Sequence, residues 1–253
     1  SVLATFPRAE SFDIESLSLT LASVPLSREI VISALFLLLL GVIAKLILYV
    51  RSLMALSALI SSSEAVESEW TAVLNDSSKI MNVRRRVELR KSSRVSTPST
   101  CGVMKPCIIL PSTMMQREQL LESRAQILQH ELAHIKRHDS LVAGLQALVS
   151  IFFFWHPAVT YINRKIRCER EIACDDWVVR INGQHGGTSI KAYAYSLVGI
   201  AESLSMQVTP AHTVACVDSS AGLRERIGIM LDKKVNHSTS VHLAANVFVT
   251  AIA

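Results

Sequence analysis

Residues 129–139 read QHELAHIKRHD, with His130 and His134 four apart and Glu131 directly after the first. On a helix, positions four apart lie on one face a turn from each other, so two imidazoles can be presented to a single ion. The surrounding ESRAQILQHELAHIKRH contains good helix formers and neither Gly nor Pro, as such a turn requires. H-E-x-x-H is the arrangement in which paired histidines bind zinc and the glutamate serves as the general base of a metallopeptidase. Average residue usage produces this pattern by accident in roughly one chain in a hundred of this length. The motif therefore needs a third ligand before it defines a site.

A catalytic zinc takes three protein ligands and keeps one position for water. His138 is the nearest candidate, but three residues spread over two turns of a straight helix cannot converge on one ion. The position six residues after His134 holds Ser140 rather than a third histidine. The better candidate lies in RKIRCEREIACDDWVVRI, which reads as a helix with Ile162, Ile166, Ala173 and Val179 in a rough apolar stripe. It carries Glu169 and Glu171, and only Glu171 has an aspartate four residues on, Asp175. A ligating histidine usually donates its other ring N–H to a carboxylate, so one helix face can supply both the ligand Glu171 and the orienting Asp175. Asp176 is the alternative orienter, and a solvated charge in a mixed-charge helix is the competing reading of Glu171. The expected set is thus His130, His134 and Glu171 as zinc ligands, Glu131 as general base and Asp175 behind a ligand. For a second oxyanion donor the residues offer His156, His185, His212 and Tyr193, each more readily read as structural.

The elements that must position these groups are unusual in their greasiness. Half of the 253 residues are hydrophobic, mean hydropathy is +0.35, and 19% are charged, which points to a domain combined with membrane segments. Glu29–Val50 is long and apolar enough to cross a bilayer, with Lys45 placed to snorkel. It is too long for a signal peptide and no small-residue cleavage pattern follows. Residues 1–28 carry two bases against three acids, whereas many bases, among them Arg51, Arg84, Arg85, Arg86 and Arg90, follow the span. Basic residues favour the cytoplasmic side, so residues 1–28 are expected outside and 51–237 in the cytoplasm. The net charge of +5 then reflects topology and attraction to a membrane surface. The bases lack interleaved aromatics and a binding module, so direct nucleic-acid contact is not expected. Residues 238–253 read as the start of a further span. A chain that starts at Ser1 and stops inside an apolar run reads as a piece of a longer one.

Between Asp139 and Arg164 no residue is formally charged. If this stretch crossed the bilayer, His130 and Glu171 would lie on opposite sides of a roughly 30 Å hydrocarbon layer and could not share an ion. Residues 140–160 must therefore form a re-entrant or interfacial hairpin, broken at WHPA where Pro157 interrupts the helix, or a core helix under the site. Trp155 and His156 suit a membrane interface, and the site is expected close to it.

Upstream, residues 51–82 read as helical, with SSSEAVESEW able to cap a new helix. VRRRVELRKSSRV, the turn TPSTCG and the proline-bounded KPCIILP suggest two or three short strands in a small antiparallel sheet. Pro106 and Pro111 suit an edge strand, onto which an extended substrate could add, and a plain core strand is the equally weighted reading of CIIL. The fold class is mainly α with that small sheet, α+β. The odd count of five cysteines, with no C-x-x-C, argues for reduced thiols rather than a disulfide framework.

STCGVMKPCIILPS, HELAHIKRHD, FFFWHPAVTYINRKIRCEREIACDDWVV, AYAYSLVGIA and LRERIGIML, in that order, resemble the BlaR/MecR-type membrane metallopeptidases, bacterial sensor-transducers and related antirepressor regulators. The resemblance runs from about Leu40 onward. It implies a gluzincin-like zinc domain between transmembrane helices of a multi-pass protein of the bacterial cytoplasmic membrane, facing the cytoplasm. His130, His134 and Glu171 match the family's metal positions and Glu131 its catalytic base. The partner it implies is a protein substrate, a transcriptional repressor or other cytoplasmic regulator. The competing readings are a non-catalytic membrane transducer, with a closed zinc site completed by Cys168, Cys174 or His138, and a different integral-membrane zinc peptidase.

Overall fold

The computed structural model describes residues 27–66, 69–115, 123–184, 190–205 and 220–231. The expected outer segment up to residue 26, the span at 238–253, and His185, His212 and Cys216 lie outside them. The elements run α1 (Arg28–Ser62), β1 (Glu64–Ala65), α2 (Glu69–Ile80), β2 (Glu88–Ser92), β3 (Ser99–Cys101), β4 (Cys107–Pro111) and α3 (Ser112–Met115). They continue with α4 (Arg124–Lys136), α5 (Asp139–Phe152), α6 (Pro157–Gln184), α7 (Ile190–Ser205) and α8 (Ser220–Leu231). The structure is mostly helical, as expected.

The chain divides into two compact units after Lys45. The first contains the apolar run of α1. This helix has 35 residues, and its most apolar window has a mean hydropathy of 2.8 with none of it buried. It is the one helix among the described residues long and apolar enough to cross a membrane. It continues to Ser62 because RSLMALSALISS contains neither Gly nor Pro to stop it.

The second unit holds the sheet and the remaining helices. The sheet order is β1-β2-β4-β3, with β2 parallel to β4 and the other neighbours antiparallel. The sheet is therefore mixed rather than antiparallel. The CIIL strand β4 is central rather than an edge, since β2 and β3 occupy both of its sides. Its residues alternate between two covered faces: Ile108 and Leu110 join the core beneath α2 and α4, while Cys107 and Ile109 pack with Leu59, Ile60 and Val95. Burial on both faces explains an unbroken apolar run. Pro106 and Pro111 sit just before the strand and at its last position, where a missing N–H interrupts no interior pairing.

The helix α4 is the axis of this unit and packs against α2, α6 and β3. Leu128, Leu132 and Ala133 are fully buried, and each buried leucine contributes about 1.5–3 kcal/mol. The C-terminal end of α4 is tied down by Lys136, whose Nζ donates to the Met81 carbonyl at 2.7 Å and lies over the Trp177 ring.

The uncharged stretch after Asp139 forms neither a span nor a core helix. With 14 residues at 1.5 Å each, α5 extends about 21 Å, short of a ~30 Å bilayer core. Only its Asp139 and Ile151 are buried. The chain breaks at Phe153–His156, and Pro157 starts α6, where a missing N–H costs nothing. Polar contacts couple the two helices: Gln146 Nε2 donates to Asn163 Oδ1 at 3.1 Å, and Asn163 Nδ2 donates to Ser150 Oγ at 2.7 Å. The outcome is a helical hairpin whose return arm runs back towards α4.

Candidate metal and catalytic site

His130, Glu131 and His134 project from α4, and Glu171 and Asp175 from the return arm α6. Glu171 lies 14 residues after Pro157, which matches the 14-residue length of α5. The outward and return paths are thus equal, and the Glu171 carboxylate comes back to the level of the histidines. Its Oε2 lies 3.5 Å from His130 Nε2 and its Oε1 3.8 Å from His134 Nε2. One donor atom from each of the three residues falls within 4.8 Å of the others.

Each imidazole is held from behind. His130 Nδ1 faces Asp175 Oδ1 at 3.1 Å, and His134 Nδ1 faces Asp139 Oδ2 at 2.7 Å. The two Nε2 atoms are left for the space shared with Glu171. A zinc ion with bonds of about 2.0–2.1 Å needs tetrahedral donors about 3.3 Å apart, so small closures of the 3.5 and 3.8 Å separations suffice. The residues present fit this metal. His130 and His134 cross edge to face with centroids 4.9 Å apart, so both rings can aim at one point.

Asp175 is fully buried and gathers an inner network. It accepts from the Tyr193 hydroxyl at 2.7 Å and from Arg226 at 2.8 and 2.9 Å. Arg226 Nη1 also lies 3.8 Å from Glu171. These contacts shift the charges in a consistent way. Burial alone would push the His130 pKa down, but the Asp175 and Glu171 carboxylates outweigh it and raise it to about 10. Burial would raise Glu171, yet the His130 hydrogen bond and the nearby charges bring it down to about 2. Asp175 is likewise held below its usual range against burial, by His130 and Arg226. Burial and the Asp175 charge push the Tyr193 phenol well up.

Glu131 is buried on α4, and its Oε2 accepts a hydrogen bond from Thr100 Oγ1 on β3 at 2.6 Å. The edge strand thus holds the carboxylate expected to act as base. Four neighbours of the site gave no periodic signal: Thr100, Asp139, Tyr193 and Arg226. Asp139 lies five residues after His134, beyond the reach of a straight turn, and meets it because His138 adopts φ 59 and breaks the helix. A histidine is one of the residues that tolerates this left-handed conformation.

The other candidates fall outside the donor set. The His138 ring faces Arg85, with Nδ1 3.4 Å from the guanidinium. Cys174 approaches His134 on the Nδ1 side at 3.3 Å, next to Asp139, so it does not face the space between the Nε2 atoms. Tyr193 is occupied by Asp175, and His156 caps the start of α6, accepting from the Ala158 amide at 3.2 Å. Neither is placed as an oxyanion donor.

Residues 13–230 match the family described as BlaR1 peptidase M56. Regulatory protein BlaR1 of Bacillus licheniformis is 34% identical over 98 residues, which cover 38% of this chain and 16% of that protein. A methicillin resistance mecR1 protein of Staphylococcus aureus is 30% identical over 111 residues, covering 43% and 18%. Regulatory protein BlaR1 of Staphylococcus aureus is 27% identical over 116 residues, covering 46% and 19%. The matched stretches therefore span less than a fifth of these relatives' length.

Proposed function

The chain belongs to the BlaR1 peptidase M56 family, and on that premise we propose that it is a membrane-bound zinc metalloendopeptidase that cleaves a cytoplasmic regulatory protein, such as a transcriptional repressor, or itself. The observation that carries this reading is the return of Glu171 to within 3.5 and 3.8 Å of the two histidine Nε2 atoms, with Glu131 on the same helix as the histidines. His130, His134 and Glu171 would hold the ion. Bound there, zinc lowers the pKa of a water and polarises a peptide carbonyl.

The chain's own groups do the rest. Glu131 takes the proton of the attacking water and delivers it to the leaving amine. Thr100 holds that carboxylate at 2.6 Å and fixes its direction. Asp175 and Asp139 lock the tautomer and orientation of the two imidazoles. Among the described residues β3 pairs only with β4, so its other edge can take an extended substrate by main-chain hydrogen bonds. This role moves from the CIIL strand, whose two edges are filled, to Ser99–Cys101.

The membrane belongs to the same reading. The α5–α6 hairpin exposes Leu141, Leu145, Phe152, Phe153, Trp155 and Tyr161, with Arg164 and Lys165 just beyond the tip. An apolar end with aromatic residues and a basic collar suits insertion into the cytoplasmic face of a bilayer, with the site close to that surface. Two relatives are named regulatory proteins, which supports a regulatory substrate.

The test is Glu131→Gln in the detergent-purified chain. Zinc content should stay at the wild-type level, while cleavage of itself or of a trapped cellular substrate falls about 10²–10⁴-fold. Full activity in that variant would remove the peptidase reading.

A further inference from the structure

Cys101 and Cys107 face each other directly across the β3–β4 pair, with their sulfurs 3.1 Å apart. Both are buried and neither is engaged in a disulfide. Gly102 fixes this register: its φ is +84, and a Cβ there would meet the Lys105 carbonyl oxygen at 2.3 Å. The tight turn holds the two thiols opposed, and directly opposed positions on paired antiparallel strands have Cα separations of about 4.5–5.5 Å, within the range a disulfide accepts. Thr100, the neighbour of Cys101, holds Glu131.

We propose that Cys101 and Cys107 are a reversible thiol–disulfide pair that fastens the edge strand β3 to β4 next to the Glu131 carboxylate. The oxidant is a small hydroperoxide, a class able to enter where a protein thiol cannot. Either thiol can be the donor in their contact, so both orders of attack lead to the same bond; in one of them Cys107 leads. Its thiolate attacks one peroxide oxygen, an S–O bond forms and the O–O bond breaks. The departing alkoxide or hydroxide takes up the thiol proton. The Cys101 sulfur then attacks the sulfenic sulfur, the S–S bond forms and the S–O bond breaks. Hydroxide leaves with the Cys101 proton as water. The two sulfurs supply the two electrons that reduce the peroxide, and a dithiol reverses the step by exchange.

Formation of this bond does not depend on the peptidase reading; only its influence on Glu131 does. The experiment therefore treats the purified full chain with hydrogen peroxide, alkylates the remaining thiols and maps the peptides by mass. The expected result is a peptide spanning Cys101 and Cys107 that has lost two hydrogens, resists alkylation and recovers with dithiothreitol. Hydrogen exchange at Thr100 and Cys101 should slow by about tenfold or more in the oxidised chain. Cys101→Ser should abolish the product, and the wild-type mapping decides the matter even if that variant fails to fold. Two thiols that stay alkylatable, oxidise singly to sulfinic acids or pair with other cysteines would overturn the proposal. So would a disulfide that leaves the exchange of β3 unchanged.

Discussion

Removing the Asp175 carboxylate separates what the inner network does for folding from what it does for the metal. The side chain is 0% exposed and makes four polar contacts, to His130, Tyr193 and twice to Arg226. Asp175→Ala leaves the Arg226 guanidinium, itself only 19% exposed, without its principal partner. Breaking a buried ion pair from one side costs about 3–5 kcal/mol. For a domain of this size each kcal/mol moves the midpoint by about 2–4 °C, so the expected loss is about 6–20 °C. The double variant Asp175→Ala with Arg226→Met removes both charges and should recover most of that loss, because the penalty belongs to the orphaned cation. Zinc affinity behaves differently. It should fall about 10–100-fold in Asp175→Ala and stay low in the double variant, since His130 has still lost the carboxylate behind it. Thermal unfolding of the detergent-solubilised chain and competition with a zinc chelator read the two quantities. A single variant within 1 kcal/mol of wild type, or a double variant that restores zinc binding, would refute this division of roles.

Three shorter predictions follow from other contacts. Thr100→Val should lower cleavage about tenfold through loss of one charge-assisted hydrogen bond to Glu131, with zinc content unchanged; a zinc loss would place Thr100 in the metal site instead. In the metal-free chain His130 is raised from 6.5 to about 10, so its contribution to stability is complete below pH 6.5 and disappears as pH rises through about 10. Zinc must displace that proton, so calorimetry at pH 8 should register release of about one proton, and apparent affinity should climb about tenfold per pH unit below the His130 value; affinity independent of pH would contradict it. Phe152→Glu with Phe153→Glu should weaken docking of the α5–α6 tip on anionic vesicles, read as reduced Trp155 blue shift on vesicle addition, while stability changes little because both side chains are exposed.

The helix bearing His130 and His134 was legible because its spacing and composition are local properties, and so was the placement of Glu171 beside them, which its i, i+4 aspartate marked apart from Glu169. Requiring His130 and Glu171 to share an ion, together with the ~30 Å thickness of a bilayer core, left a hairpin or a core helix for Asp139–Arg164, and only the folded chain chooses the hairpin. The role of Asp139 was not legible, because it depends on one left-handed residue, His138, that redirects the chain after α4. Tyr193 and Arg226 arrive from separate helices with no periodic relation to the motif. At β4 the sequence left edge and core readings level, and the structure takes the second. Prolines mark where pairing stops along a strand, but whether the strand is central depends on which segments pair with its two edges, here β2 and β3.

The raised pKa of His130 says something about the site that spacing does not. An imidazolium buried among apolar atoms should lose its proton, since desolvation penalises the charged form. Here the carboxylates of Asp175 and Glu171 reverse that preference, even with Arg226 close by and opposing them. The pocket therefore favours positive charge between α4 and α6 strongly enough to overcome burial. A dication satisfies that preference with twice the charge and leaves the imidazole neutral, as a metal ligand must be. On the proposed metal reading, proton and metal would compete for His130, and the same two carboxylates would set the terms for both.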